Sequence, residues 1–163
     1  MTSSESTKIC RDTCKSKCCK STPPALTSED LTRISNVFMM KKEEFANKKT
    51  KWFFVKKREN SSDCYFLSDE GECKIYTSRP LDCQLFPILF KIKKVDSSYV
   101  IKWYIWYCPL TDFFTPKYLI EKAKKIIVSY LEKNPKILFE YQSAMYETGG
   151  YKRKHFLFAE KLP

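Results

Sequence analysis

Eight cysteines are the residues of this 163-residue chain whose type and spacing could do chemistry. Cys10, Cys14, Cys18 and Cys19 form one group, with gaps of three, three and zero residues. Cys64, Cys73, Cys83 and Cys108 form a second, looser group, with gaps of eight, nine and twenty-four. Thiolates are soft ligands for zinc, iron and iron–sulfur clusters. If the first group is helical, Cys10, Cys14 and Cys18 repeat every fourth residue and line one face. Cys19 then sits about 100° round the axis from Cys18, so in ideal helical geometry the two do not easily share one small ion, although a larger cluster or a helix end relaxes this. The competing reading is a buried stripe of small residues, but Lys15, Lys17 and Lys20 make the segment too polar for a core helix. No pair has the Cys-x2-Cys spacing of zinc ribbons or thioredoxin-like sites. Cys108-Pro109 echoes the ending of ferredoxin cysteine runs.

Other chemistries are excluded by what is scarce. The only histidine is His155, which removes Cys2His2 fingers and paired-histidine zinc sites. With three glycines, Gly71, Gly149 and Gly150, neither a Gly-x-Gly-x-x-Gly turn nor a phosphate-cradling loop can be written. Zinc and iron–sulfur ligation are equally suited to an all-thiolate set. The first residues are polar and offer no secretory apolar region, so the chain is read as cytosolic, where thiols stay reduced. No membrane-spanning stretch is expected. The formal charge of +11 invites a nucleic-acid partner. With only Arg11, Arg33, Arg58, Arg79 and Arg153 beside the lysines, however, base-edge reading is poorly served, and a solvated lysine-rich surface is the plainer account.

Beside the thiols, Arg79 is held extended by Pro80 and is the candidate cofactor contact, able to hydrogen-bond cluster sulfides or a bound anion. Its plainer alternative is an ion pair with Asp82 or Glu72. Tyr65, Tyr76 and Phe86 lie within three residues of a cysteine and could shield a centre from water. Asp63 and Asp82 directly precede Cys64 and Cys83, where carboxylates would repel thiolates, so neither is named a ligand. His155, among Lys152, Arg153 and Lys154, reads as an exposed residue of a tail.

These side chains need elements to hold them. Residues 1–9 are expected to be loose, and Pro23-Pro24 ends the first cysteine segment. Thr27, with an acid three residues on, caps a helix predicted to run to about Lys42 with Leu31, Ile34, Val37 and Phe38 on one face. Residues 51–55, 85–92 and 99–107 are β-branched and aromatic and are predicted strands of a small sheet. Thr115-Pro116 opens a second helix that ends at Asn134-Pro135, and residues 136–147 form a third. Gly149-Gly150 then releases a basic tail, residues 150–163. The expected fold is a single small α+β domain with a short sheet, two or three helices and a cysteine-ligated metal centre.

Taken in order, Cys10, Cys14, Cys18-Cys19, Leu26-Thr27-Ser28-Glu29, Cys64-Tyr65-Phe66-Leu67, Cys73-Lys74-Ile75-Tyr76, Arg79-Pro80-Leu81-Asp82-Cys83, Phe86-Pro87 and Cys108-Pro109 resemble the YkgJ, or CxxCxxCC, family of zinc- or iron-chelating proteins. The resemblance covers about residues 10–110. It implies that all eight cysteines are metal ligands. The same framework resembles that of flagellin lysine methylases, which implies a [4Fe-4S] cluster and methyl transfer from S-adenosylmethionine to a protein substrate. No glycine loop supports the latter cofactor, and a structural zinc module with RNA or protein partners is the alternative. The chain departs from the family in three places: three residues rather than two separate Cys10 from Cys14, Gln84 follows Cys83 where a basic residue is usual, and Leu110 replaces the glycine after Cys108-Pro109.

Overall fold

A computed structural model describes residues 3–152 and 154–162. The chain divides into two compact units, residues 1–83 and 84–163. Both mix helices with antiparallel strands, giving the expected α+β class. The strands, however, fall into two three-stranded sheets, one in each unit.

In the first unit, α1 (Ser3–Asp12) and α2 (Lys17–Ser21) carry the first cysteine group. Helix α1 begins at Ser3, within the segment expected to be loose. The two helices are not one. Lys15 and Ser16 take left-handed backbone angles (φ 52° and 54°), so the helical axis breaks between Cys14 and Cys18. The predicted line of Cys10, Cys14 and Cys18 along one helix face is therefore corrected: Cys14 lies in the turn and Cys18 belongs to the next helix.

The strands β1 (Ala25–Leu26), β2 (Ala46–Lys49) and β3 (Trp52–Val55) form a sheet with β3 in the centre. Between them run α3 (Ser28–Phe38) and the single turn α4 (Lys42–Phe45). Leu26, Ile34, Phe45, Val55, Phe66 and Ile75 form the core, with Cys64 and Cys73 packed against it. Helix α3 stops before Lys42 because Met39 turns left-handed (φ 53°) and the Met40 N–H bonds back to the Ser35 carbonyl, which closes the last turn. Strand β2 was not expected. Its Asn and Lys residues disfavour strands, and its pairing with β3 creates it.

The N-terminus of α3 is tied by one buried carboxylate. Asp30 Oδ2 accepts the Thr27 N–H at 3.0 Å and the Thr27 hydroxyl at 2.9 Å, completing a capping box. The same carboxylate accepts the Leu81 N–H at 3.1 Å and pairs with Arg33 at 2.5 Å. Arg33 in turn donates to the Arg79 carbonyl at 2.8 Å. Helix α3 is thereby joined to the segment that leads into α5 (Leu81–Leu85).

In the second unit, β4 (Ile88–Val95), β5 (Ser98–Ile105) and β6 (His155–Leu162) form an antiparallel sheet with β5 in the centre. The β4–β5 hairpin turns at Asp96 (φ 53°), in the Asp96-Ser97-Ser98 break. After the short α6 (Leu110–Phe113), helices α7 (Pro116–Lys133) and α8 (Lys136–Glu147) follow the predicted bounds, Thr115 capping the first by accepting the Tyr118 N–H. Ile101, Trp103 and Ile105 alternate inward along β5, and Ile127, Leu138 and Tyr141 of the helices are buried in the same unit. Residues 155–162, expected as part of a basic tail, are instead strand β6, paired along β5. Glu160 fixes it by accepting the Trp103 indole N–H at 2.8 Å and pairing with Lys124 at 2.5 Å. His155 is exposed as expected, but stands on this strand, 5.0 Å from the Tyr107 ring.

Removing one partner of a buried, hydrogen-bonded charge leaves the others unsatisfied. Asp30→Ala is therefore expected to lower stability by about 3–5 kcal/mol in urea denaturation, against about 1 kcal/mol for the cap variant Thr27→Ala. Equal small losses would reduce Asp30 to an ordinary cap.

Candidate metal centre

The turn between α1 and α2 positions the first thiols. The Thr13 and Cys14 N–H groups both reach the Ile9 carbonyl, at 3.0 and 3.1 Å, and the Ser16 N–H bonds the Cys10 carbonyl at 2.8 Å. Buried Ser16 donates its hydroxyl to the Gly71 carbonyl at 2.6 Å. Gly71 sits at φ +81°, where a side chain would strain the backbone, so this close approach suits glycine. The lashed turn aims α2 at the loops that hold the second thiol group.

Those loops are built by backbone pairing. Cys64 N–H donates to the Cys19 carbonyl at 2.6 Å, and Cys64 bridges antiparallel to Lys57. Cys73 bridges to Leu67, and its carbonyl accepts the Tyr76 N–H at 3.2 Å, opening the 3-10 turn Tyr76–Ser78. Cys83 follows on α5, where its neighbour Asp82 accepts the Ala25 N–H at 3.0 Å.

The result is a gathering of five thiols: Cys18, Cys19, Cys64, Cys73 and Cys83. The charges acting on these groups are largely one another's. Cys19 is influenced by Cys18, Cys83 and Cys64, Cys64 by Cys73 and Cys18, and Cys83 by the adjacent Asp82 carboxylate first and then by Cys18 and Cys64. Arg79 is the cation among them, acting on Cys18, Cys73 and Cys83. Its guanidinium carbon lies 4.0 Å above the Tyr76 ring. Of the two carboxylates weighed as its partners, Glu72 pairs with Arg11, and Asp82 accepts the Ala25 N–H. Tyr65, proposed as a shield, packs edge-on against Phe66 at 5.2 Å.

The other three thiols are placed differently. Cys10 stands on α1 and Cys14 in the turn after it, both half-buried. Cys108 belongs to the second unit, where its carbonyl accepts the Thr111 N–H and hydroxyl at 2.8 and 2.7 Å. Phe86 is also in that unit, 6.3 Å from Trp106.

Burial dominates the protonation of the gathered thiols. It raises Cys64 to about 11 and pushes Cys73 and Cys83 up, since a thiolate loses its hydration inside the protein. Cys18 is the exception. Its sulfur shares a hydrogen bond with the Cys19 sulfur, 4.0 Å away, which with the backbone N–H groups of Cys18 and Cys19 and a smaller contribution from Arg79 brings Cys18 down to about 7. The same bond raises Cys19, which gives up its proton last. The metal-free set thus holds one readily formed thiolate among protonated neighbours.

Among the described residues, no three His, Cys, Asp or Glu side chains already stand as a closed ligand set. The donor chemistry nevertheless fits a thiophilic metal. Two sulfurs bound tetrahedrally at about 2.3 Å stand about 3.8 Å apart, close to the 4.0 Å between Cys18 and Cys19. Ideal helical geometry would keep Cys18 and Cys19 from sharing one small ion, a restriction that a helix end relaxes. In the first turn of a five-residue helix the two side chains converge despite their 100° stagger.

The chain belongs to the CxxCxxCC family, described as a zinc- or iron-chelating domain, whose profile matches residues 9–109. An uncharacterized protein of Methanocaldococcus jannaschii is 30% identical over 97 residues, covering 56% of this chain and 52% of its own length. The chain thus spans about half the length of that curated relative. No solved structure matches the chain. No helix among the described residues is long and apolar enough to cross a membrane.

Because Cys19, Cys64, Cys73 and Cys83 keep their protons at neutral pH, a metal entering here must displace them. Zinc titrations between pH 6 and 8 are expected to show affinity rising by more than about tenfold per pH unit, with more than one proton released per ion. A dependence that levels off above pH 7 would mean that Cys18 alone is being deprotonated.

Proposed function

We propose that this protein holds a thiolate-ligated metal centre, with Cys18, Cys19, Cys64, Cys73 and Cys83 supplying the ligands of the first unit and Cys10, Cys14 and Cys108 as further candidate ligands. The single observation that carries this reading is that Cys19, Cys64, Cys73 and Cys83, each costly to ionise, stand with Cys18 within reach of one another's charge, and that the Arg79 guanidinium acts on Cys18, Cys73 and Cys83. A metal's positive charge supplies what burial removes, and turns protonated thiols into thiolates.

An iron–sulfur cluster, [4Fe-4S], is the reading we favour. An all-sulfur donor set without histidine suits it, and a guanidinium beside the cluster can hydrogen-bond its sulfides and raise its potential. The chemistry we assign to such a cluster is redox or methyl transfer on a protein substrate, the methyl reading resting on the resemblance of residues 10–110 to flagellin lysine methylases. The second reading, structural zinc, is favoured by the 4.0 Å separation of Cys18 and Cys19, which suits two ligands of one tetrahedral ion.

The two readings part on one sample. After anaerobic purification, equal iron and acid-labile sulfide with a broad visible band is expected for the cluster. Stoichiometric zinc without sulfide is the outcome of the second reading. Under either, Cys18→Ser and Cys83→Ser are each expected to abolish metal content, and unchanged stoichiometry in both would overturn the shared site. Stripping the metal is expected to lower Tm substantially, because a bound metal would tie the cysteine segments together and its binding energy is folding energy. An apo form as stable as the loaded one would assign the thiols to packing.

A further inference from the structure

The second unit carries a gathering of its own, built without cysteine. Lys91 on β4 and Lys154, just before β6, turn their ammonium groups onto the same tyrosines. Lys91 Nζ lies 4.7 Å from the ring centre of Tyr146, 5.0 Å from Tyr151 and 5.6 Å from Tyr104. Lys154 Nζ lies 3.7 Å from Tyr151 and 4.6 Å from Tyr104. The cage is continuous: Tyr146 and Tyr151 ring centres are 4.9 Å apart, and Tyr104 lies 5.6 Å from Phe156. Tyr151 is its fixed floor, with its hydroxyl bonded to the Phe90 carbonyl at 2.6 Å. Tyr146 and Phe156 are its rim, 52% and 56% exposed.

Ordinary surface lysines extend into water and keep apart. Here two of them share the rings of Tyr104 and Tyr151, and among the described residues no salt bridge pairs either with a carboxylate. Ring faces attract each cation but supply no counter-charge, so the like charges still repel. The strain is visible at Lys154, whose amine is brought down to about 8 by burial and then by Lys91. An oxyanion between the two groups would relieve the repulsion.

We propose that Lys91 and Lys154 form an oxyanion site that takes the phosphate of a nucleotide, with the base stacking on the exposed rings of Tyr146 and Phe156. Paired cations with adjacent exposed aromatic rings are what a phosphate with a planar base requires. The site lies in the second unit and does not depend on whether the cysteines hold zinc, a cluster or nothing.

Calorimetric titration of the full chain at low ionic strength, with adenosine 5′-monophosphate and separately with inorganic phosphate, tests the assignment. One site is expected, at least about threefold tighter for the mononucleotide because a stacked base adds affinity. Lys91→Gln and Lys154→Gln are each expected to weaken binding by about tenfold or more, while Lys102→Gln on β5, with the same change in net charge, leaves it unchanged. Tyr146→Ala is expected to bring the mononucleotide down toward the affinity of phosphate. Absence of binding, or equal binding by the lysine variants and the parent, would overturn the site. Equal affinity for the two probes would overturn the stacked base.

Discussion

The first unit depends on the buried carboxylate of Asp30. An acid at this position of a capping box ordinarily faces water and satisfies one backbone donor. Here it takes the Thr27 backbone and hydroxyl, the Leu81 N–H and the Arg33 guanidinium together. Leu81 lies two residues before Cys83, and Arg33 holds the carbonyl of Arg79. The carboxylate therefore fixes the start of α3 and the placement of the cation and thiol that follow from 79 to 83. A second tie, Asp82 to the Ala25 N–H, sets the same segment against β1. The charge is stabilised by donors rather than by solvent, which makes the arrangement directional.

The thiols pose the opposite problem. Each is pushed toward its neutral form by burial, and each ionised neighbour would raise the next. Backbone bonds such as Cys64 to Cys19 hold them near one another despite this. A group of side chains held where ionisation is costly gains from a cation that makes ionisation favourable. Arg79 supplies part of that charge, and a bound metal would supply the rest. The reading joins burial, protonation and ligand chemistry in one cause.

Much of this was legible in the residues, and the failures have particular causes. Thr27 and Asp30 announced the start of α3, and Thr115-Pro116 that of α7, because caps are local chemistry. The burial of Asp30 was not legible, since its partner Leu81 lies 51 residues away. The four-residue repeat of cysteines suggested one helix, but left-handed Lys15 and Ser16 break it, and neither residue type signals such a turn. Strand β6 was hidden by the basic residues before it. Its run Phe156-Leu157-Phe158-Ala159 was the available signal, but both of its phenylalanines stay exposed, so no inward alternation marked it. The resemblance of residues 10–110 to the metal-chelating family was visible in the order of the cysteine segments, whereas the convergence of Cys18 with Cys19 required the structure.

The most direct test of the account is the metal's own coordination shell. X-ray absorption at the metal edge of the anaerobically purified protein is expected to show a shell of sulfur alone, at about 2.3 Å, and the edge itself is expected to vanish when Cys83 is replaced by serine. A shell of nitrogen and oxygen, or one indifferent to Cys83→Ser, would contradict the claim that the gathered thiols are the ligands.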